Sequence, residues 1–334
     1  MFFQDYLSHF NNEIDIILYY IKIRYKKASP FCNHCGCSEH ICHRLDRPKF
    51  FQCNNCNNSF SIFKDTIFEK TSTDLRKWFY AIHLIINNKK GISGYCLQRE
   101  IHVTYKTAWR ILKQIRLAMV MHRTEDDKLF HAYIEVDETY VGGKPRKDNT
   151  GMSDGTSKRG RGTKKKPIIG MYDRENKCVY AKVASTNAKG QKLSGKQLLD
   201  TIKETCKYKN TTFYTDEFSG YNSLHKDKSN IHLVVDHNKM FVDGDIHTNN
   251  IESFWGTLKR GIIGTYHHIS VDYMQNYVNE FCFRHNHREG KTFFIEEIFA
   301  IIVEQSALKK VYEISEEDIP YWTQWMDKKS KIKK

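Results

Sequence analysis

The chain has 334 residues, 40% hydrophobic and 28% charged, and its 53 Lys and Arg against 39 Asp and Glu leave a formal charge of +14. Such a length supports two or three domains with ordinary cores, and such a charge points to a polyanionic partner rather than a small-molecule substrate. No apolar run reaches the roughly 18 residues of a spanning helix, and the start MFFQDYLSHF lacks the basic lead and small-residue cleavage site of a signal peptide, so no membrane partner is expected and the chain is expected inside the cell, in cytoplasm or nucleus.

Residues 1–29 are expected to form one or two short helices with an apolar face of Phe2, Phe3, Tyr6, Leu7 and Phe10. Six of the ten cysteines then fall between residues 32 and 56. That clustering fits an intracellular zinc site better than a disulfide scaffold. Cys32 and Cys35 form one Cys-x₂-Cys pair, and Cys53 and Cys56 form a second. Each pair makes a tight turn, and a hairpin between them brings four thiolates around one structural Zn²⁺, the pattern of a zinc ribbon over residues 30–65. A closed four-thiolate site stabilises a domain too small for its own core and does no catalysis. Cys37, His40, Cys42 and His43 read as solvated loop residues, with alternate ligands or a second metal site as the other reading, and Arg44, Arg47, Lys49, Phe50 and Phe51 are candidate DNA contacts on the ribbon. Cys96, Cys178, Cys206 and Cys282 read as small buried apolar residues.

Residues 70–123 have helical periodicity throughout. TSTDLRKWFYAIHLIINN opens on capping residues and carries an apolar side of Leu75, Trp78, Phe79, Ile82, Leu84 and Ile85; SGYCLQREI follows Gly91, and after a break at residues 102–104 a third helix starts near Tyr105. Two helices across a tight turn, the second bearing Lys106, Arg110, Lys113 and Arg116, are expected to be a helix-turn-helix with its recognition helix in the major groove. A polar linker over residues 124–128 leads to a core expected at residues 130–290.

The core opens with HAYIEVDETYVGG, a strand bearing Asp137. Residues 142–166 carry nine Lys or Arg against two Asp, a net +7, without apolar periodicity. Such a Gly-rich basic segment is expected to be a loop between the first two strands that contacts DNA phosphate, with Arg159 and Arg161 among its cations. PIIGMYDR and KCVYAKVA follow as strands, LSGKQLLDTIKETC as an amphipathic helix, TTFYTDEFSGY as a strand ending at Asp216, and IHLVVD as a fifth strand. In HTNNIESFWGTLKR the apolar residues Ile251, Phe254, Trp255 and Leu258 recur at helical steps, Asn249 or Asn250 is suited to the N-cap, and Glu252 and Lys259 lie two turns apart on nearly one side. A long helix is expected from GTYHHISVDYMQNYVNEFCFRHNHRE, and residues 291–334 as helical segments with a basic tail. Two strand-borne aspartates and a helix-borne glutamate are the hard oxygen donors that a pair of Mg²⁺ or Mn²⁺ ions takes for in-line phosphoryl displacement.

Taken together, VDETYVGGK, YTDEFSGY and HTNNIESFWGTLKRGIIGTYH resemble the catalytic core of DDE transposases, in an insertion-sequence family related to the eukaryotic Merlin elements. The resemblance runs over roughly residues 30–290. It implies an α/β, ribonuclease-H-like core with a five-stranded mixed sheet, Asp137 on the first strand, Asp216 on the fourth and Glu252 on the helix after the fifth. It also implies that Lys259 touches terminal DNA, and that Arg284, Asn286 and Arg288 end a helix packed against the catalytic centre. Some relatives use Asn as the third ligand, which leaves Asn249 and Asn250 beside Glu252. The function implied is a transposase that binds terminal inverted repeats, cleaves the element ends with two metal ions per site, and joins the 3′-hydroxyls to target DNA as at least a homodimer. The rival is a domesticated, inactive descendant that only binds DNA.

Overall fold

The computed structural model describes residues 10–25, 29–44, 46–119, 133–142, 165–184, 193–206, 208–235 and 246–288. They fall into two compact units divided between Arg76 and Lys77. The apolar face expected on residues 2–7, the linker 124–128, Arg159 and Arg161 in the basic loop, and the C-terminal segments lie outside the described residues.

In the first unit, helix α1 (Glu13–Tyr25) buries Ile16, Ile17, Tyr20 and Ile21. Tyr20 packs against the rings of Phe63 and Phe68 at 4.8 and 5.8 Å. Three short strands follow: β1 (Ile41–His43), β2 (Phe50–Cys53) and β3 (Ser59–Ser61), joined as an antiparallel meander. The two Cys-x₂-Cys turns flank β1 and β2, which gives the hairpin expected of a ribbon. Glu13 receives the Leu75 amide at 3.1 Å and the Lys49 ammonium at 3.3 Å.

The second unit begins with three helices: α2 (Leu75–Asn87, all but its first two residues), α3 (Gly94–Ile101) and α4 (Tyr105–Ala118). Ser93 and Thr104 cap α3 and α4, each side chain accepting the amide three residues on. His102 ends α3 in the left-handed region at φ 48°, which supplies the sharp turn. Leu97 and Ile101 are buried with Ala108, Ile111, Leu112 and Ile115, so the apolar stripes of the two helices face inward.

The core sheet comprises β4 (Tyr133–Val141), β5 (Lys166–Asp173), β6 (Cys178–Val183), β7 (Thr212–Thr215) and β8 (Ile231–Val234), in the order β6-β5-β4-β7-β8. β4, β5 and β6 run antiparallel, whereas β7 pairs with β4 and β8 with β7 in parallel. Helix α5 (Gly195–Thr205), started by a capping box at Ser194 and Gln197, covers one face; α6 (Asn249–Gly261) and α7 (Met274–Asn286) cover the other. The period of two on β4 sorts its residues between these layers. Ile134 and Val136 join the α5 core with Leu198 and Ile202, while Glu135 and Asp137 take the α6 side. This three-layer, five-stranded mixed sheet is the ribonuclease-H-like arrangement.

One element differs from expectation. The long helix read from residue 264 onward does not form there: α6 runs into a π turn (Ile262–Tyr266), His267 takes φ 59°, and α7 begins at Met274. Gly264 weakens helix propensity locally, and Ser270 is extended at φ −70° and ψ 150°. The chain restarts there through a short 3-10 turn.

Candidate functional site

Asp137 lies in the middle of β4, opposite Gly170 of β5. The Trp255 indole Nε1–H donates to Asp137 Oδ2 at 3.0 Å. Burial pushes the Asp137 carboxyl up to about 8, and the neighbouring charges of Glu138, Asp216 and Glu252 push in the same direction. Three carboxylates from elements far apart in sequence therefore share one electrostatic neighbourhood. Asp216 follows directly on β7, its Oδ1 accepting the Phe218 amide at 3.0 Å as the chain turns into a 3-10 helix (Ser219–Lys226). Tyr221 of that helix is buried and donates its hydroxyl to Glu138 Oε2 at 2.9 Å, holding the residue beside Asp137.

Glu252 projects from the first turn of α6, exposed, and accepts the Thr248 hydroxyl at 2.8 Å. Thr248, not Asn249 or Asn250, occupies the N-cap position, and its side chain caps no amide. The cap comes instead from β4. Glu135 Oε2 accepts the amides of Asn250 and Ile251 at 3.0 and 3.1 Å, placing a carboxylate at the positive end of α6. Asn250 Nδ2 also donates to Glu135, at 2.7 Å. The Asn250 side chain is thereby turned toward Glu135. Lys259 is exposed two turns along α6.

These hard carboxylate oxygens could hold a divalent cation, which would offset the burial and the mutual repulsion that raise Asp137. Among the described residues, the group whose ligand atoms gather within 4.8 Å of one another is a different one, Cys32, Cys35, Cys53 and Cys56. Cys32 and Cys56 sulfurs lie 3.6 Å apart, as do those of Cys35 and Cys53. Hydrogen bonds from the backbone at Cys37 and from Asn55 hold the Cys35 thiol down to about 6. Four soft sulfurs in this arrangement could hold one Zn²⁺ ion. Of the other ribbon candidates, His43 stacks on Phe51 at 4.5 Å and bonds the Pro48 carbonyl, and Asn54 donates to Cys42.

The basic residues separate into two kinds. Lys106 and Arg110 are exposed on α4. Lys113 turns its ammonium over the Trp109 and Tyr273 rings at 5.5 and 4.8 Å. Arg116 does not face outward as expected: it is 2% exposed and its Nε donates to Glu280 of α7 at 2.6 Å. Helical phase explains this burial, since Arg116 follows Leu112 by four residues and Ile115 by one and lands on the apolar side of α4, where α7 packs. On the ribbon Phe51 is buried and Lys49 donates to the carbonyls of Thr71 and Thr73, so neither is open to DNA, while Arg47 and Phe50 are exposed. Arg284 pairs with Glu280 at 2.8 Å, Asn286 bonds both backbone groups of Val179 on β6, and Arg288 reaches the Lys177 carbonyl. All three support the core.

Sequence reasoning passed over Glu135 and the polar end of Trp255. Glu135 shares strand parity with Asp137, which is a usable signal; Trp255 falls in the apolar stripe of α6, and nothing in its spacing marks its indole N–H.

Residues 131–286 match the model of the ISXO2-like transposase domain. Over 267 residues the chain is 30% identical to an uncharacterized protein in transposable element ISH50 of Halobacterium salinarum, an alignment covering 76% of this chain and 84% of that one. Among solved structures, the pre-cleavage Mos1 transpososome covers 69% of this chain and 78% of its own at 10% identity and a TM-score of 0.28. The Mos1 strand transfer complex covers 70% and 77% at 11% identity and a TM-score of 0.29. At such scores the structural matches add nothing to what the sheet topology and the family match establish.

Proposed function

The chain belongs to the transposases with an ISXO2-like domain, and from that premise we propose that it cuts the ends of its element and joins them to target DNA at the Asp137, Asp216 and Glu252 site. The observation that carries the reading is the convergence of these three carboxylates on one neighbourhood, with Asp137 pushed up to about 8 by burial and by the charges of Glu138, Asp216 and Glu252. Asp137, Asp216 and Glu252 would hold two Mg²⁺ or Mn²⁺ ions. When bound, such ions activate the attacking oxygen and neutralise charge on the leaving one.

In the first step a water oxygen attacks the phosphorus at the element end, the bond from phosphorus to the 3′-oxygen breaks, and that oxygen leaves as a 3′-hydroxyl. In the second step the 3′-hydroxyl attacks a target phosphorus, a new phosphodiester forms, and the target's own 3′-oxygen departs. The chain's part is to orient. Trp255 fixes Asp137, Thr248 fixes Glu252, and Lys259 on the same side of α6 meets the phosphate backbone of the terminal DNA. Lys106 and Arg110 read or grip the end through the helix-turn-helix, Arg159 and Arg161 grip phosphate, and the zinc ribbon holds its own surface in shape. Joining two ends together requires two cores, hence at least a homodimer on DNA.

The test is a Mn²⁺-dependent joining assay with oligonucleotides copied from the DNA flanking the gene, comparing the unmodified chain with Asp216→Ala and Glu252→Ala. Joined product from the unmodified chain alone is expected. Activity surviving in Glu252→Ala removes that residue from the ligand set. No product, with salt-sensitive binding to the same oligonucleotides, makes the protein a DNA binder.

A further inference from the structure

Two residues before each of the three carboxylates, the chain belongs to or touches one ion pair, Glu135 with Arg174. Glu135 stands two residues before Asp137, Tyr214 two before Asp216, and Asn250 two before Glu252. Glu135 is fully buried, and Arg174, just past the end of β5, donates its Nε to Glu135 Oε1 at 2.8 Å. The same guanidinium lies over the Tyr214 ring at 3.8 Å and donates through its second nitrogen to the His247 carbonyl at 2.7 Å and to His247 Nδ1 at 3.1 Å. Glu135 completes the circuit by accepting the Asn250 and Ile251 amides and the Asn250 side chain. β4, β7 and the entry to α6 therefore meet at one point.

We infer that the Glu135–Arg174 pair is a positioning device that sets the spacing of Asp137, Asp216 and Glu252, and with it the affinity of the site for divalent cations. The inference rests on the carboxylate reading above. Its physical basis is leverage. On β4 and β7 a two-residue step along an extended strand is under 7 Å and returns to the same face. On α6 the fixed first turn determines where Glu252 points. An arginine is needed because one planar fork serves Glu135 and His247 at once, which a lysine ammonium does not reproduce.

The experiment measures Mn²⁺ binding to the full, zinc-loaded chain by electron paramagnetic resonance of the free ion, so that the readout does not depend on DNA chemistry. The thiolate set keeps its zinc because soft sulfur ligands disfavour Mn²⁺. Arg174→Lys, Glu135→Gln and Asp216→Ala are compared with the unmodified chain, with melting temperature recorded for each. The expected result is that Asp216→Ala abolishes tight binding, and that Arg174→Lys, measured well below its own melting temperature, weakens Mn²⁺ binding at least tenfold. Glu135→Gln is expected to weaken binding by as much or more. If Asp216→Ala loses Mn²⁺ while Arg174→Lys and Glu135→Gln bind it normally, the positioning inference is overturned and the carboxylate reading stands. If Asp216→Ala binds Mn²⁺ as tightly as the unmodified chain, the carboxylate reading fails and this inference fails with it.

Discussion

Gly170 is where a single methyl group tests the construction of the site. A Cβ built there would lie 2.4 and 2.5 Å from Cζ2 and Cη2 of Trp255 and 2.9 Å from Cδ1 of Ile251. Carbon atoms in contact prefer about 3.5–4.0 Å, so in Gly170→Ala the indole must retreat by about 1 Å. Trp255 is only 3% exposed and is packed among Phe254, Ile251 and Leu258, which leaves little room. Overpacking of this kind costs about 1–3 kcal/mol. A retreat of about 1 Å also stretches the Nε1–Oδ2 distance from 3.0 Å to about 4 Å, beyond hydrogen bonding. With the Mn²⁺ of the joining assay bound, Asp137 is ionised, and a hydrogen bond to a charged group contributes about 1.5–3 kcal/mol, which predicts a loss of roughly 10- to 150-fold in joining rate. Denaturant unfolding reads the first effect and the oligonucleotide joining assay the second. Trp255→Phe separates them, since it removes the donor and shrinks the ring. The double variant should then recover part of the stability lost by Gly170→Ala but none of the activity, a non-additive result. Gly170→Ala with unchanged unfolding and unchanged joining would refute the argument that the indole occupies this space in order to orient Asp137.

Three further outcomes are expected. Arg116→Ala strands part of the Glu280 charge in a site that, among the described residues, keeps Arg284 and Tyr266 as partners, costing about 3 kcal/mol of stability. It should leave the salt dependence of DNA binding unchanged, whereas Lys106→Ala and Arg110→Ala each lower that slope by about one. Zinc removal by a strong chelator should release one Zn²⁺ per chain and expose the four thiols of Cys32, Cys35, Cys53 and Cys56 to a thiol reagent; reactivity unchanged by the chelator would count against the site. The third concerns pH. Asp137 keeps its proton in the folded chain up to about 8, against 3.8 for the free side chain. Between those values the folded state holds more protons than the unfolded one, so stability without divalent ions falls as pH rises through that window, by at most about 1.4 kcal/mol per pH unit. Asp137→Asn should flatten the slope in a pH series of unfolding curves, and an unaltered slope would remove Asp137 as its source.

The sequence alone determined what depends on spacing along the chain. Two Cys-x₂-Cys turns define a thiolate set because a turn fixes where two sulfurs point, and the ribbon strands need only join them. Ser93 and Thr104 announce their helices because a cap is a local hydrogen bond. Alternation on β4 places Asp137 on one face, and the order of strands and helices restricts the sheet to few topologies. The third carboxylate was less legible. Asn249, Asn250 and Glu252 all lie within one helical turn, and where a side chain there points depends on the packing of α6 on β4, which draws Asn250 to Glu135.

What the tertiary structure decided was every pairing across long sequence separations. Arg116 looked like a surface cation of a recognition helix; α7 covers that side of α4 and supplies Glu280 from 164 residues away. The start of α6 lacks a cap of its own because a carboxylate 115 residues earlier provides one. Trp255 reads as one more apolar residue until the bare backbone of Gly170 lets its indole reach Asp137. Local propensity depends on neighbours in sequence, whereas a buried charge or donor is tolerated only when its partner arrives through folding. The elements were therefore legible residue by residue, and the contacts that aim the carboxylates were not.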